Sequence, residues 1–144
     1  MANFVYNVGL GRVAEKAADG ATLKLLVLQA ADADATLKDL DTVAGVLAQG
    51  GTTEANFTNY ARATLGSVTV TVVDGSDRVD VDCSDVVFTA AGGAVNNTCT
   101  DVIIYEEVNN DGDSIPLVQL DASFTTDGND VTLQFNAQGF YSAS

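Results

Sequence analysis

The side chains able to do chemistry are unevenly supplied. The chain carries 20 acids, six bases and no His. Without His, the commonest general base and the commonest metal ligand are both missing, so Ser-His-Asp and Cys-His nucleophile arrangements are excluded. The densest acid cluster is Asp80, Asp82 and Asp85. Paired carboxylates do acid–base work when their surroundings split their pKa values. These acids alternate with Val79, Val81 and Cys83, the pattern of a strand with one solvated face. The sequence therefore predicts no catalytic residue, no cofactor and no enzyme.

The run Asn109 to Ser114 is the best place to look for a metal. Asn109, Asp111 and Asp113 alternate around Gly112, and calcium takes several oxygen ligands on a tight, Gly-containing loop. The EF-hand pattern requires Glu at the last loop position, which here falls on Val118, and the neighbouring segments read as strands. A hairpin turn of Asn, Asp and Gly accounts for the same letters. Asn109, Asp111 and Asp113 thus stand as calcium candidates beside a plain turn.

Cys83 and Cys99 are the only cysteines, and their spacing fits no zinc or thioredoxin motif. Placed on two consecutive predicted strands, they allow a cross-strand disulfide or two buried thiols acting as small hydrophobes.

The formal charge is −14 and no Lys or Arg follows Arg78. Phosphate binding needs clustered bases, so neither nucleic acid nor an anionic membrane is an expected partner. A basic protein surface is a better one. No segment approaches the length of apolar chain that a membrane helix needs. The opening Met-Ala-Asn-Phe-Val-Tyr-Asn lacks the basic start and apolar run of a signal peptide, which predicts synthesis in a cytoplasm.

The elements that would position these groups follow from hydrophobic spacing. Val5, Val8, Leu10, Val13, Ala14 and Ala17 predict a helix over 5–18, with Gly9 and Gly11 against it. Residues 22–30 predict a buried strand. Leu37, Leu40, Val43, Ala44 and Leu47 predict a second helix, capped by Asp34 or Thr36 and ended by Gly50-Gly51. Residues 52–66 read as a loop with two aromatic anchors, Phe57 and Tyr60. From residue 67 the period becomes two. Strands are expected around 68–72, 79–83, 86–89, 100–107, 115–121 and 131–136, with a short one at the end. The segment 100–107 is apolar on both faces and should be central. The 144 residues suit one domain, 1–144. The expected class is α+β, mainly antiparallel β (a sandwich or rolled sheet) with two short helices in the N-terminal half.

Several of these segments also look familiar as a set. The opening Met1-Ala2-Asn3-Phe4-Val5-Tyr6-Asn7 with Gly11-Arg12-Val13-Ala14 resembles the start of a group of small virion structural proteins of tailed bacteriophages. Asn59-Tyr60-Ala61-Arg62, Asp85-Val86-Val87-Phe88-Thr89-Ala90, Val102-Ile103-Ile104-Tyr105 with Ile115-Pro116-Leu117, and the ending Asn136 to Ser144 are similar to the same group. The resemblance implies a non-enzymatic virion protein, made in the host cytoplasm. The first expectation is a capsid decoration or minor capsid protein that binds the outer capsid surface as a homo-oligomer, with the major capsid protein or another virion protein as partner. The alternative is a tail, fibre or adaptor component with a host-surface role. The resemblance carries over no binding residues.

Overall fold

The computed structural model describes residues 2–144. Its frame is an antiparallel sheet built on two long strands that are apolar on both faces. These are β2 (Leu23–Ala30) and β8 (Thr98–Glu106). They pair from Leu23↔Glu106 to Leu28↔Asp101. β9 (Ile115–Thr125) lies on the other side of β8, and β1 (Phe4–Val5) forms the edge beyond β9. Runs such as Leu25-Leu26-Val27-Leu28 and Val102-Ile103-Ile104-Tyr105 are fully buried because both faces of this sheet are covered.

One face is covered by two short helices, α2 (Asp34–Leu37) and α3 (Val43–Leu47). Leu37, Val43 and Val46 meet Leu26, Leu28, Ile103, Tyr105 and Tyr6 there. The opposite face packs on α1 (Val13–Ala18) and two small sheets. The first is the hairpin β5 (Thr69–Val73) and β6 (Arg78–Asp82) with β11 (Tyr141–Ala143). The second pairs β7 (Val86–Phe88) with β10 (Val131–Leu133). The expected α+β class, mainly antiparallel β, is what the chain adopts.

Three local expectations are corrected. The helix predicted over 5–18 begins only at Val13. Phe4 and Val5 pair with Gln119 and Val118 instead. Gly9 sits where a Cβ would meet the Leu117 carbonyl oxygen at 2.9 Å, and Gly11 has φ +78°. The second predicted helix is two helices, so the described residues hold three α-helices rather than two. Thr42 has extended backbone and its hydroxyl accepts from Gly45 N at 3.0 Å, which starts α3 afresh. Neither Asp34 nor Thr36 caps α2; Ala33 stands at the N-cap, with no side-chain bond.

The third correction concerns 52–66, which is a broken edge strand rather than a plain loop. β3 (Thr53–Glu54) and β4 (Ala63–Thr64) both pair with β2. Between them Ala55 N donates to Val27 O at 2.8 Å, and Val27 N donates to the Tyr60 hydroxyl at 3.0 Å. One phenol thus replaces the missing ladder bond and closes the edge of β2. Phe57 is buried and meets Phe88 edge-on, so both aromatic anchors serve as expected.

Candidate functional site

The turn at Asn109–Ser114 is a structural junction. The Arg62 guanidinium donates to both oxygens of Glu54 at 2.7 Å, and to both oxygens of Asp111 at 2.6 and 2.9 Å. It also lies 5.6 Å from the Tyr105 ring centre. Ala44 N donates to Asp111 O and Val43 N to Ser114 O, so the same turn receives the start of α3. Asp113 accepts from Asn110 Nδ2 at 2.8 Å, and Gly112 N donates to Asn110 Oδ1. Two of the three calcium candidates are engaged by other partners. Asp111 faces Arg62, Asp113 faces Asn110, and no metal-holding group of three His, Cys, Asp or Glu occurs among the described residues. Hydrogen bonds from Arg62 hold the Asp111 carboxyl below the usual carboxylate range, against some burial. Hydrogen bonds to Glu54, then to Asp111, raise the Arg62 pKa further.

The acids of β6 are also placed differently from the simple pattern. Asp80 is buried, because β11 lies alongside β6 with Ser142 opposite it. The Ser142 hydroxyl donates to Asp80 at 2.8 Å and Arg78 Nε donates at 3.0 Å. The hydroxyl and then Arg78 lower the Asp80 pKa. Asp82 Oδ1 accepts from Cys83 N, and Asp85 is exposed. Asp80 is thus a paired structural carboxylate, with Asp82 turned to the neighbouring backbone and Asp85 at the surface.

Cys83 follows β6 and Cys99 lies on β8, with β7 between them in sequence. Both are free and buried in the larger core cluster. Burial, then the Asp82 and Asp85 charges, pushes the Cys83 thiol up to about 12; burial pushes Cys99 up to about 11. Such thiols are poor nucleophiles.

One further polar cluster lies away from every candidate read from the sequence. Asp101 pairs with Leu28 on one side and Asp121 on the other, which sets it on the helix-covered face of the large sheet. The β8–β9 register shifts between Cys99 and Asp101. Cys99 therefore joins the larger cluster while Asp101, two residues on, faces the other way, as bulged strands re-aim side chains. Asp101 is 1% exposed. Its Oδ1 accepts from Gln119 Nε2 at 3.2 Å, and Gln119 Oε1 accepts from the Tyr6 hydroxyl at 3.1 Å. Burial, then the charges of Asp101 and Asp34, raises the Tyr6 pKa, so the phenol stays a neutral donor. Asp101 Oδ2 is buried and has no hydrogen-bond partner. A groove of about 500 Å³ opens beside this residue. Gln29, Ala30, Ala31, Asp101, Asp121 and Ser123 border it. An aspartate inside an otherwise apolar strand was the one signal that pointed there.

The bases are largely consumed inside the fold. Lys16 pairs with Glu106, Lys24 with Glu107, Arg62 with Glu54 and Asp111, and Arg78 with Asp80. The acids left over give the outer surface a strongly negative field. No helix among the described residues is long and apolar enough to cross a membrane. No protein-family model, curated protein or solved structure matches this chain.

Proposed function

We propose that this chain is a non-enzymatic structural protein of a tailed-bacteriophage particle, bound in many copies to the outer capsid surface as a decoration or minor capsid protein. One observation carries the reading. The stretches that resemble that group fall on the joints of this fold. The opening supplies edge strand β1 and the buried Tyr6. Asn59 to Arg62 supplies the phenol that closes β2 and the guanidinium that ties two loops. Asp85 to Ala90 contains β7, Val102 to Tyr105 is the central strand, and the ending contains β11. The resemblance covers most of the chain in short pieces, and pieces that include such joints are what a shared scaffold would leave.

The mechanism is mechanical. A surface that keeps most of its bases in internal pairs presents net negative charge, which favours basic protein partners and steers encounter with them. Many equivalent sites on a shell make modest contacts sufficient through avidity. The major capsid protein is the partner this requires, and a homo-oligomer would multiply the contacts. The test is co-sedimentation of the purified protein with shells of the encoding phage that lack it. Saturable binding to shells supports decoration. Binding to isolated tails alone would favour the tail or fibre alternative and defeat the capsid reading.

A further inference from the structure

We propose that the groove beside Asp101 receives a lysine side chain of a partner protein. A buried carboxylate oxygen with no donor is costly, and native structures rarely leave one so. Asp101 Oδ2 is such an oxygen, and its residue borders the groove. What is missing is therefore a hydrogen-bond donor, and the surroundings say which kind. Asp121 lies directly across the strand pair from Asp101, and Ser123 adds a hydroxyl beside it. No base borders the groove. An exposed carboxylate at the groove, with a buried and unpartnered one directly across the strand pair, favours a cation over a neutral donor.

Ala30 and Ala31 form the apolar part of the wall. That combination fits an aliphatic stem with a compact charged end, which is a lysine rather than a planar guanidinium with its fork of donors. A bare metal ion is a poorer fit, because the described residues bring no group of three acidic or Cys ligands together. The chain's formal charge of −14 draws such a partner in. Taking the lysine to belong to a protein rests on the surface-binding reading above; the chemistry of the groove does not.

The probe is Nα-acetyl-lysine-amide, titrated into the full-length isotope-labelled protein and followed by amide chemical shifts. Saturable shifts centred on 29–31, 100–101 and 121–123 are expected, at millimolar affinity for one isolated side chain. The same probe with its ε-amine acetylated should leave those amides in place. Asp101→Asn should weaken binding about tenfold or more, the size of a lost charge-assisted bond. Asp121→Asn lies on an exposed position and keeps the fold testable if Asp101→Asn does not fold; it should weaken binding several-fold.

Three results would overturn the assignment. They are no shifts at these amides, equal shifts with the acetylated probe, and shifts that Asp121→Asn leaves unchanged. The first would mean that solvent alone satisfies Asp101. Binding of the amine by a protein that proves absent from particles would remove the virion reading and leave the groove standing. Presence in particles with unmoved amides would do the reverse.

Discussion

Arg62→Ala is the substitution whose cost the structure sets most clearly. The Arg62 and Glu54 side chains are 22% and 23% exposed, and Asp111 is 39% exposed. An exposed ion pair contributes at most about 1 kcal/mol, whereas breaking a buried one costs about 3–5 kcal/mol. This bracket lies between those limits. Its contact with Glu54 is two-point and mostly shielded, and its contact with Asp111 must be discounted for solvent. Loss of the stacked Tyr105 contact adds about 0.5–1 kcal/mol. The sum is a destabilisation of about 2–3 kcal/mol. For a chain of 144 residues, unfolding entropy scales so that each kcal/mol moves Tm by about 3 °C. The expected fall is therefore about 7–10 °C in a thermal melt followed by circular dichroism. Glu54→Gln should cost less, because Asp111 still holds the guanidinium. A double-mutant cycle between Arg62→Ala and Asp111→Ala should return a coupling of about 1 kcal/mol, modestly reduced by salt. A loss below about 0.5 kcal/mol for Arg62→Ala would refute the view that this bracket ties the 52–66 segment to the Asn109–Ser114 turn.

Three further outcomes follow from the same geometry. Gly139→Ala should cost about 3 kcal/mol, since φ is +81° and the new Cβ would collide with the Val81 carbonyl; urea unfolding measures it, and an unchanged midpoint contradicts the packing of β11. The stability advantage of wild type over Asp111→Asn should be fully present above pH about 4, the unfolded carboxylate range, and vanish as pH falls through the lowered Asp111 pKa; a difference independent of pH down to 2 would show that the carboxylate's charge contributes nothing. Neither thiol should react with a disulfide reagent at pH 8 in the native state, and both should react in denaturant without reductant; their proton-bound forms favour the fold fully below pH about 8.5, an advantage lost as pH rises toward 11–12.

The strands with one dominant pattern were legible from the sequence. The runs at Leu23–Ala30 and Thr98–Glu106 are apolar on both faces because each lies inside a sheet covered twice, and the alternation at Val70, Val72, Val79 and Val81 marks a hairpin. What could not be read are features whose cause is distant in sequence. Tyr60 completes a ladder bond for Val27, across 33 positions, so 52–66 has the composition of a loop while part of it acts as an edge strand. Thr42 restarts a helix within a continuous helical pattern because α3 must begin at the turn holding Ser114 and Asp111. Asp80 looks solvated until the C-terminal strand arrives beside it. The same holds for the candidate site. The alternating letters of Asn109, Asp111 and Asp113 suggested a metal, but Asp111 turns to Arg62, 49 positions earlier. Asp101 stands two residues from Cys99, and only the register shift between them shows that the two face opposite ways.

The central proposal is tested most directly by counting copies in the particle. Quantitative mass spectrometry of purified particles of the encoding phage gives this chain's abundance against the major capsid protein. The account predicts hundreds of copies, equal to the capsid subunit number or a simple fraction of it. A few copies to a few dozen would contradict decoration and move the protein to the tail or neck, and complete absence would contradict the structural role itself.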